Sequence, residues 1–402
     1  MPDLLLSPAA NGSPIDVAPA APLAAAPRRW IRGPAWDLVW ILNPLWLGPL
    51  VLALAHGHER VRDSAVDALF FALTVALWFG HRVSSAWLAY LTPGYRPLLA
   101  TQRVRFVVVP IVVVAACFAA LLVPESVLPL PLDDRVLGLA IANYLMVTHH
   151  FAAQHFGLLS LYRSRTGRAA DPLGRRLDKV FALVVGGGVI VVADAASGSI
   201  AFQDRWIDPL LGPNGAGLLA GAVHDGGIAL VVALAALVAV AELRSARPSL
   251  PRLAYVASMA AMVLLALVAR DPFLFVVVWS VQHWSAAMGL ASLVAAGGEQ
   301  GGDATRGQRL LAAINRRRWA LLLVLAALSA VLLPLMEVEA VSDEYVYADR
   351  LVGDAAWWLR SSPFLPALLA LGFATGFVHY LLDRAAFRFS SPEVRRAARG
   401  VL

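Results

Sequence analysis

"VLGLAIANYLMVTHHFAAQHFGLLSLY" occupies residues 136–162 and contains no aspartate, glutamate, lysine or arginine. Some ~20 helical residues suffice to cross the hydrocarbon core of a bilayer, so this run reads as a membrane span. It nevertheless carries His149, His150 and His155. The apolar length decides the fold class, and the histidines raise the question of function.

Similar runs recur along all 402 residues, of which 59% are hydrophobic and only 15% charged. A water-soluble domain of this size could not bury that much apolar side chain. The expected fold is all-α, a polytopic transmembrane helix bundle of about ten spans. These are 36–55, 67–91, 106–123, 136–162, 180–197, 227–243, 253–269, 273–296, 319–336 and 363–384. Residues 1–30, rich in Ala and Pro, read as a disordered tail. Residues 31–385 form the transmembrane domain, and 386–402 a basic cytoplasmic tail. Residues 198–226, with Trp206, Pro209 and Pro213, read as a re-entrant or interfacial segment. The N-terminus has no basic region leading into an apolar one, so no cleaved signal peptide is expected.

The net charge is +6, and Lys179 is the only lysine. The arginines gather in the N-terminal tail, in the loops after the second, fourth, sixth and eighth spans, and in the C-terminal tail. The alternate loops are acidic, with Glu125, Asp133 and Asp134 in one and Glu337, Asp343 and Glu344 in another. The positive-inside rule explains this alternation without a nucleic-acid partner and puts both termini in the cytoplasm. A bacterial inner membrane is the expected location. The single cysteine, Cys117, excludes disulfides and Cys-based metal sites.

Six of the nine histidines fall inside expected spans: His81, His149, His150, His155, His283 and His379. The spans that hold them are even-numbered and parallel. At ~1.5 Å per residue, all six lie between the midplane and the cytoplasmic surface. Ionisable residues at such depth are rare without a role. The alternative is interhelical hydrogen bonding. His81, His150, His155 and His283 are the leading metal-ligand candidates, with His149 and His379 in reserve.

On an ideal helix, steps of four and seven return to one face. Asn143, His150 and Gln154 then form one stripe, and Tyr144, Thr148 and His155 another, ~140° away. His150 and His155 therefore cannot both face one ion on an unbroken helix. Asn143, Gln154, Tyr144, Thr148, Gln282 and Arg82 suit the holding of ligating imidazoles, since a ligand ring donates its other N–H to a fixed acceptor. Interhelical glue is the competing role for each. "QHF" from Gln154 echoes "QHW" from Gln282. Trp78, Trp279 and Trp284 read as walls of an apolar substrate channel or as packing residues. Arg82, a charge within a span, calls for a partner, a head group or an anionic substrate group. Asp383, four residues after His379, reads as a head-group charge rather than as an acceptor for the ring.

No carboxylate lies in the middle of a span, which argues against proton- or sodium-coupled transport and against carboxylate-bridged di-iron chemistry. Imidazoles alone suit iron, copper or zinc. No phosphate-binding loop, dinucleotide fingerprint or nucleophile elbow occurs.

The "HHFAAQH" stretch resembles, in kind, the histidine boxes of membrane fatty-acid desaturases and hydroxylases. The number of histidines and their spread over several helices is similar to the Brp/Blh-type carotene dioxygenase group. That resemblance implies a single non-haem iron held by four histidines, a lipid-like or isoprenoid substrate from the bilayer, and oxygenase or oxidase chemistry, with a redox partner where electrons are needed. A b-type haem clamped by paired histidines is the alternative cofactor. A transporter is the alternative function.

Overall fold

In a computed structural model, the described residues are 29–56, 65–168, 171–188, 208–212, 215–269, 272–297, 305–336, 361–389 and 391–398. They form fifteen α-helices with short 3-10 and π turns, and no strand. In chain order these are α1 (Pro34–Trp40), α2 (Pro44–Ala55), α3 (Ala65–Ala86), α4 (Arg96–Thr101), α5 (Val109–Leu122) and α6 (Leu132–Arg165). Next come α7 (Pro172–Leu183), α8 (Asp208–Leu211), α9 (Gly215–Leu243), α10 (Leu250–Ala269) and α11 (Pro272–Ala296). The last are α12 (Arg306–Arg316), α13 (Arg318–Met336), α14 (Leu365–Ala386) and α15 (Pro392–Ala397). The tail at 1–28 and the acidic segment 337–360 lie outside the described residues.

Local chemistry sets the helix ends. Proline occupies the first turn of α1, α2, α7 and α14, where its missing N–H costs nothing. Asp171 and Thr305 cap α7 and α12, the latter in a reciprocal capping box with Gln308. The α6 helix has 34 residues, so at ~1.5 Å each it is far longer than a ~30 Å hydrocarbon core. It begins at the exposed Asp133 and Asp134 and ends at Arg163 and Arg165, the first of them buried against Asp178.

Among the described residues, five helical stretches are long and apolar enough to cross a membrane: Ala65–Leu91, Val104–Leu122, Leu132–Arg165, Gly217–Leu243 and Leu365–Ala386. A sixth arises if α1 and α2, bent by 49° at their junction, count as one. That architecture is compatible with a multi-pass membrane protein. Two expectations change in detail. The expected span 180–197 is α7 running into a π turn at Val184–Gly188, and its remainder lies outside the described residues. Residues 215–226, expected in a re-entrant or interfacial segment, belong to α9.

The helices around the centre of the bundle are α3, α6, α11 and α14, with α13 against α3 and α5 against α14. Close approach of α3 to α13 depends on Gly80, where a Cβ would stand 2.7 Å from the Leu325 carbonyl oxygen. The Phe79 N–H donates to Ser329 Oγ at 3.0 Å in the same seam. Cys117 is buried in an apolar patch with Leu121, Leu369, Phe373 and Phe377, between α5 and α14.

At one end, four helices are tied by charge. Asp178 on α7 pairs with Arg163 and Arg252, and Glu242 on α9 pairs with Arg252 and with Arg168. Both carboxylates are fully buried. Such groups are tolerated because each faces two guanidinium groups.

Candidate metal centre

Four histidines meet between four helices: His81 on α3, His150 on α6, His283 on α11 and His379 on α14. All four are at most 5% exposed. Their rings form a closed circuit of edge-on neighbours. Centroids are 5.0 Å apart for His81 and His283, 4.9 Å for His283 and His150, 4.9 Å for His150 and His379, and 4.7 Å for His379 and His81. One ligand nitrogen from each of His81, His283 and His379 falls within 4.8 Å of the others. His150 Nε2 stands 3.3 Å from His283 Nε2.

Two nitrogens bound to one ion at ~2.1 Å can be no more than ~4.2 Å apart. The His150–His283 pair already satisfies that limit, and the three nitrogens of His81, His283 and His379, within 4.8 Å of one another, would draw together by up to about 1 Å onto one ion. The rings are also turned for the task. His81 Nδ1 faces the Trp78 carbonyl one turn earlier on α3, which fixes Nδ1 as the protonated nitrogen and leaves Nε2 with its lone pair. His379 Nδ1 is 3.2 Å from Ser85 Oγ, while its Nε2 is buried with no hydrogen-bond partner. With Nδ1 protonated and donating to Ser85, the unpartnered Nε2 would offer its lone pair to a cation.

The fit extends around the rim. Phe151 packs edge-on against the His283 ring at 3.9 Å and lies 4.0 Å from the Trp279 ring. Trp284 stacks on Phe70 and lies 6.1 Å from His81 and 6.4 Å from Trp78. The three expected tryptophans thus border the centre as packed aromatic neighbours. Gln154 Nε2 donates to the His283 carbonyl at 3.1 Å, and so pins α6 to α11 beside the rings. Asn143 Oδ1 accepts from Tyr380 Oη at 3.1 Å, and the Tyr380 ring lies 4.9 Å from His150. Arg82 reaches the Gly372 carbonyl and Thr375 Oγ1 on α14 and lies over Trp78 at 4.9 Å. It is held by a carbonyl, a hydroxyl and an aromatic face.

Other expected residues stand elsewhere. His155 is buried and its Nδ1 bonds Tyr255 Oη at 2.6 Å on α10, while its Nε2 has no hydrogen-bond partner; its ring is not one of the four in the circuit. Ideal helix geometry separates it from His150, and α6 is unbroken there. His379, held in reserve by sequence, occupies the fourth position. His149 is exposed on the outer face of α6. Thr148 Oγ1 donates to the Tyr144 carbonyl on its own helix. Gln282 Nε2 donates to the Ile41 carbonyl, a contact with the α1–α2 junction. The echo of "QHF" and "QHW" therefore does not carry equal roles.

Asp383 requires a correction. It is 7% exposed and its Oδ2 lies 3.8 Å from His150 Nε2, inside the bundle rather than among head groups. The reason is register: a step of four from His379 keeps both side chains on the inward face of α14. Sequence reasoning missed Ser85, Phe151 and Tyr380 at the rim; the only signals for them were a four-residue step from His81 to Ser85 and the adjacency of Phe151 and Tyr380 to His150 and His379. No family model, no curated protein and no solved structure matches the chain. Function therefore rests on the site.

Proposed function

We propose that this chain is an integral-membrane metalloenzyme in which His81, His150, His283 and His379 hold a single metal ion. The convergence of four buried imidazoles from four helices carries this reading. Four imidazolium charges at ~5 Å in a weakly screening interior could not coexist, whereas four neutral rings offer lone pairs to one cation. Iron is the metal we favour, with oxygenase or oxidase chemistry on a lipid or isoprenoid. The bound ion would supply dioxygen activation. The chain's own residues orient the imidazoles (Trp78 carbonyl, Ser85), keep water out with Phe151, Trp279 and Trp284, and offer an apolar border to a substrate arriving from the bilayer. A redox partner is needed only where the reaction consumes external electrons.

A bare ion is favoured over haem b. A haem needs a flat slot between its two axial rings, and here each ring is in edge contact with two others. The remaining elements of the proposal are ten spans and cytoplasmic termini in a bacterial inner membrane, supported by the alternation of arginine-rich and acidic loops.

The decisive measurement is metal analysis with a visible spectrum on detergent-purified protein. We expect about one iron per chain, no Soret band, and loss of metal in His283→Ala. A metal-free wild type, or a Soret band, overturns the reading.

A further inference from the structure

Four carboxylates are buried among the described residues: Asp37, Asp178, Glu242 and Asp383. Three have donors or guanidinium partners. Asp37 accepts from the N–H groups of Ile31, Arg32 and Gly33 and from Tyr162 Oη. Asp178 faces Arg163 and Arg252. Glu242 faces Arg168, Arg252 and the Ser249 N–H. Asp383 is different. Its Oδ1 is buried with no hydrogen-bond partner, and its Oδ2 has His150 Nε2 at 3.8 Å, beyond hydrogen-bond length.

A carboxylate left without donors in an apolar interior is costly, so such a group takes up a proton or is set against a cation. No arginine or lysine pairs with Asp383 among the described residues. What lies beside it is the imidazole circuit. His150 Nε2 stands 3.3 Å from His283 Nε2 on one side and 3.8 Å from Asp383 Oδ2 on the other. Taken singly, each separation is below the ~4.2 Å available to two atoms bound to one ion; Asp383 stands outside the group of His81, His283 and His379 whose ligand atoms lie within 4.8 Å of one another, so its carboxyl would turn toward the ion on binding.

We propose that Asp383 is the anionic ligand of this centre, so that one divalent cation is held by imidazoles together with a carboxylate. This rests on the four-histidine reading and deepens it. The carboxylate removes one of the two positive charges that the ion would otherwise bring into the apolar interior. Its hard oxygen shifts the preference toward iron(II), manganese(II), cobalt(II) or zinc(II) and away from copper(I), which soft ligands favour. The i, i+4 pair His379–Asp383 thereby presents two ligands from one face of α14, and the site no longer consists of imidazole alone.

The test is cobalt(II) titration into the full chain in detergent after chelator treatment, read by chelator competition and by the d–d absorption bands. Wild type is compared with Asp383→Asn, Asp383→Glu and His149→Gln. We expect one cobalt per chain in wild type and His149→Gln. Asp383→Asn should bind more than ~100-fold more weakly, beyond the range of residues that only orient a ligand. Asp383→Glu should retain the ion with shifted bands, because the oxygen moves by one methylene. Asn and Glu variants with wild-type affinity and wild-type bands overturn the proposal while leaving the histidine centre standing. Wild type that takes up no cobalt overturns both. Where Asp383→Asn does not survive extraction, Asp383→Glu decides, with unchanged bands counting against ligation.

Discussion

Tyr255 Oη lies 2.6 Å from His155 Nδ1, and both side chains are buried. This bond joins α6 to α10 and gives His155 a partner that owes nothing to the four-imidazole circuit. Two histidines five residues apart on one helix thus do different work. We expect His155→Gln to keep its metal. Tyr255→Phe should also keep it and lose ~1 kcal/mol of stability, the typical net worth of a hydrogen bond. Metal content and thermal unfolding of the two variants check this. Loss of the ion from His155→Gln would place His155 in the centre.

The neighbouring pair His149 and His150 should separate as sharply. His150 faces His283 and His379 inside the bundle, while His149 is exposed. His150→Ala is expected to lose bound metal under conditions where His149→Gln retains it. Equal retention would show that the inward direction of His150 does not make it a ligand.

Gly80 tests whether packing between helices positions a ligand. A Cβ there meets the Leu325 carbonyl at 2.7 Å, and backbone cannot yield as a flexible side chain does. Gly80→Val is expected to cost ~1–3 kcal/mol through overpacking. It should also lower metal occupancy, because His81 is the next residue on α3. Thermal unfolding of apo and loaded protein separates the two effects. An unchanged melting temperature would refute the close approach.

Asp178 tests the charged clasp. Removing it leaves Arg163 and Arg252 facing each other in a buried setting, with Arg252 still on Glu242. Asp178→Ala is expected to destabilise by ~3–5 kcal/mol, the usual cost of stranding a buried charge. Replacing the whole set by apolar residues should cost less. Unfolding in detergent measures both, and a small loss in the single variant would show that water reaches the clasp.

Orientation has its own test. A reporter fused after residue 402 should behave as cytoplasmic, and one inserted near Asp343 as external. The reverse at either position removes the common depth assigned to the histidines.

The helical, membrane-like class was legible in the sequence because it depends on composition and run length, and both are local. The run at 136–162 has no charge to solvate, so its backbone must satisfy itself as helix whatever surrounds it. The candidate histidines were legible for a related reason: polar rings in apolar runs stand out, and helix geometry already separated His150 from His155. Which histidines meet was decided only by tertiary structure. His379 and His155 look alike in sequence, each on an apolar helix near its basic end. Only the packing of α14 against α3 and α6 turns His379 into the circuit, and only α10 supplies Tyr255 for His155. Asp383 shows the same limit. Sequence places it near a helix end, where a charge ordinarily reaches water. Its fate depends on which face of α14 is covered and on whether another chain segment brings a donor. Among the described residues none does, and an imidazole stands there instead, because long-range packing, unlike helix formation, is set by residues far apart in the chain.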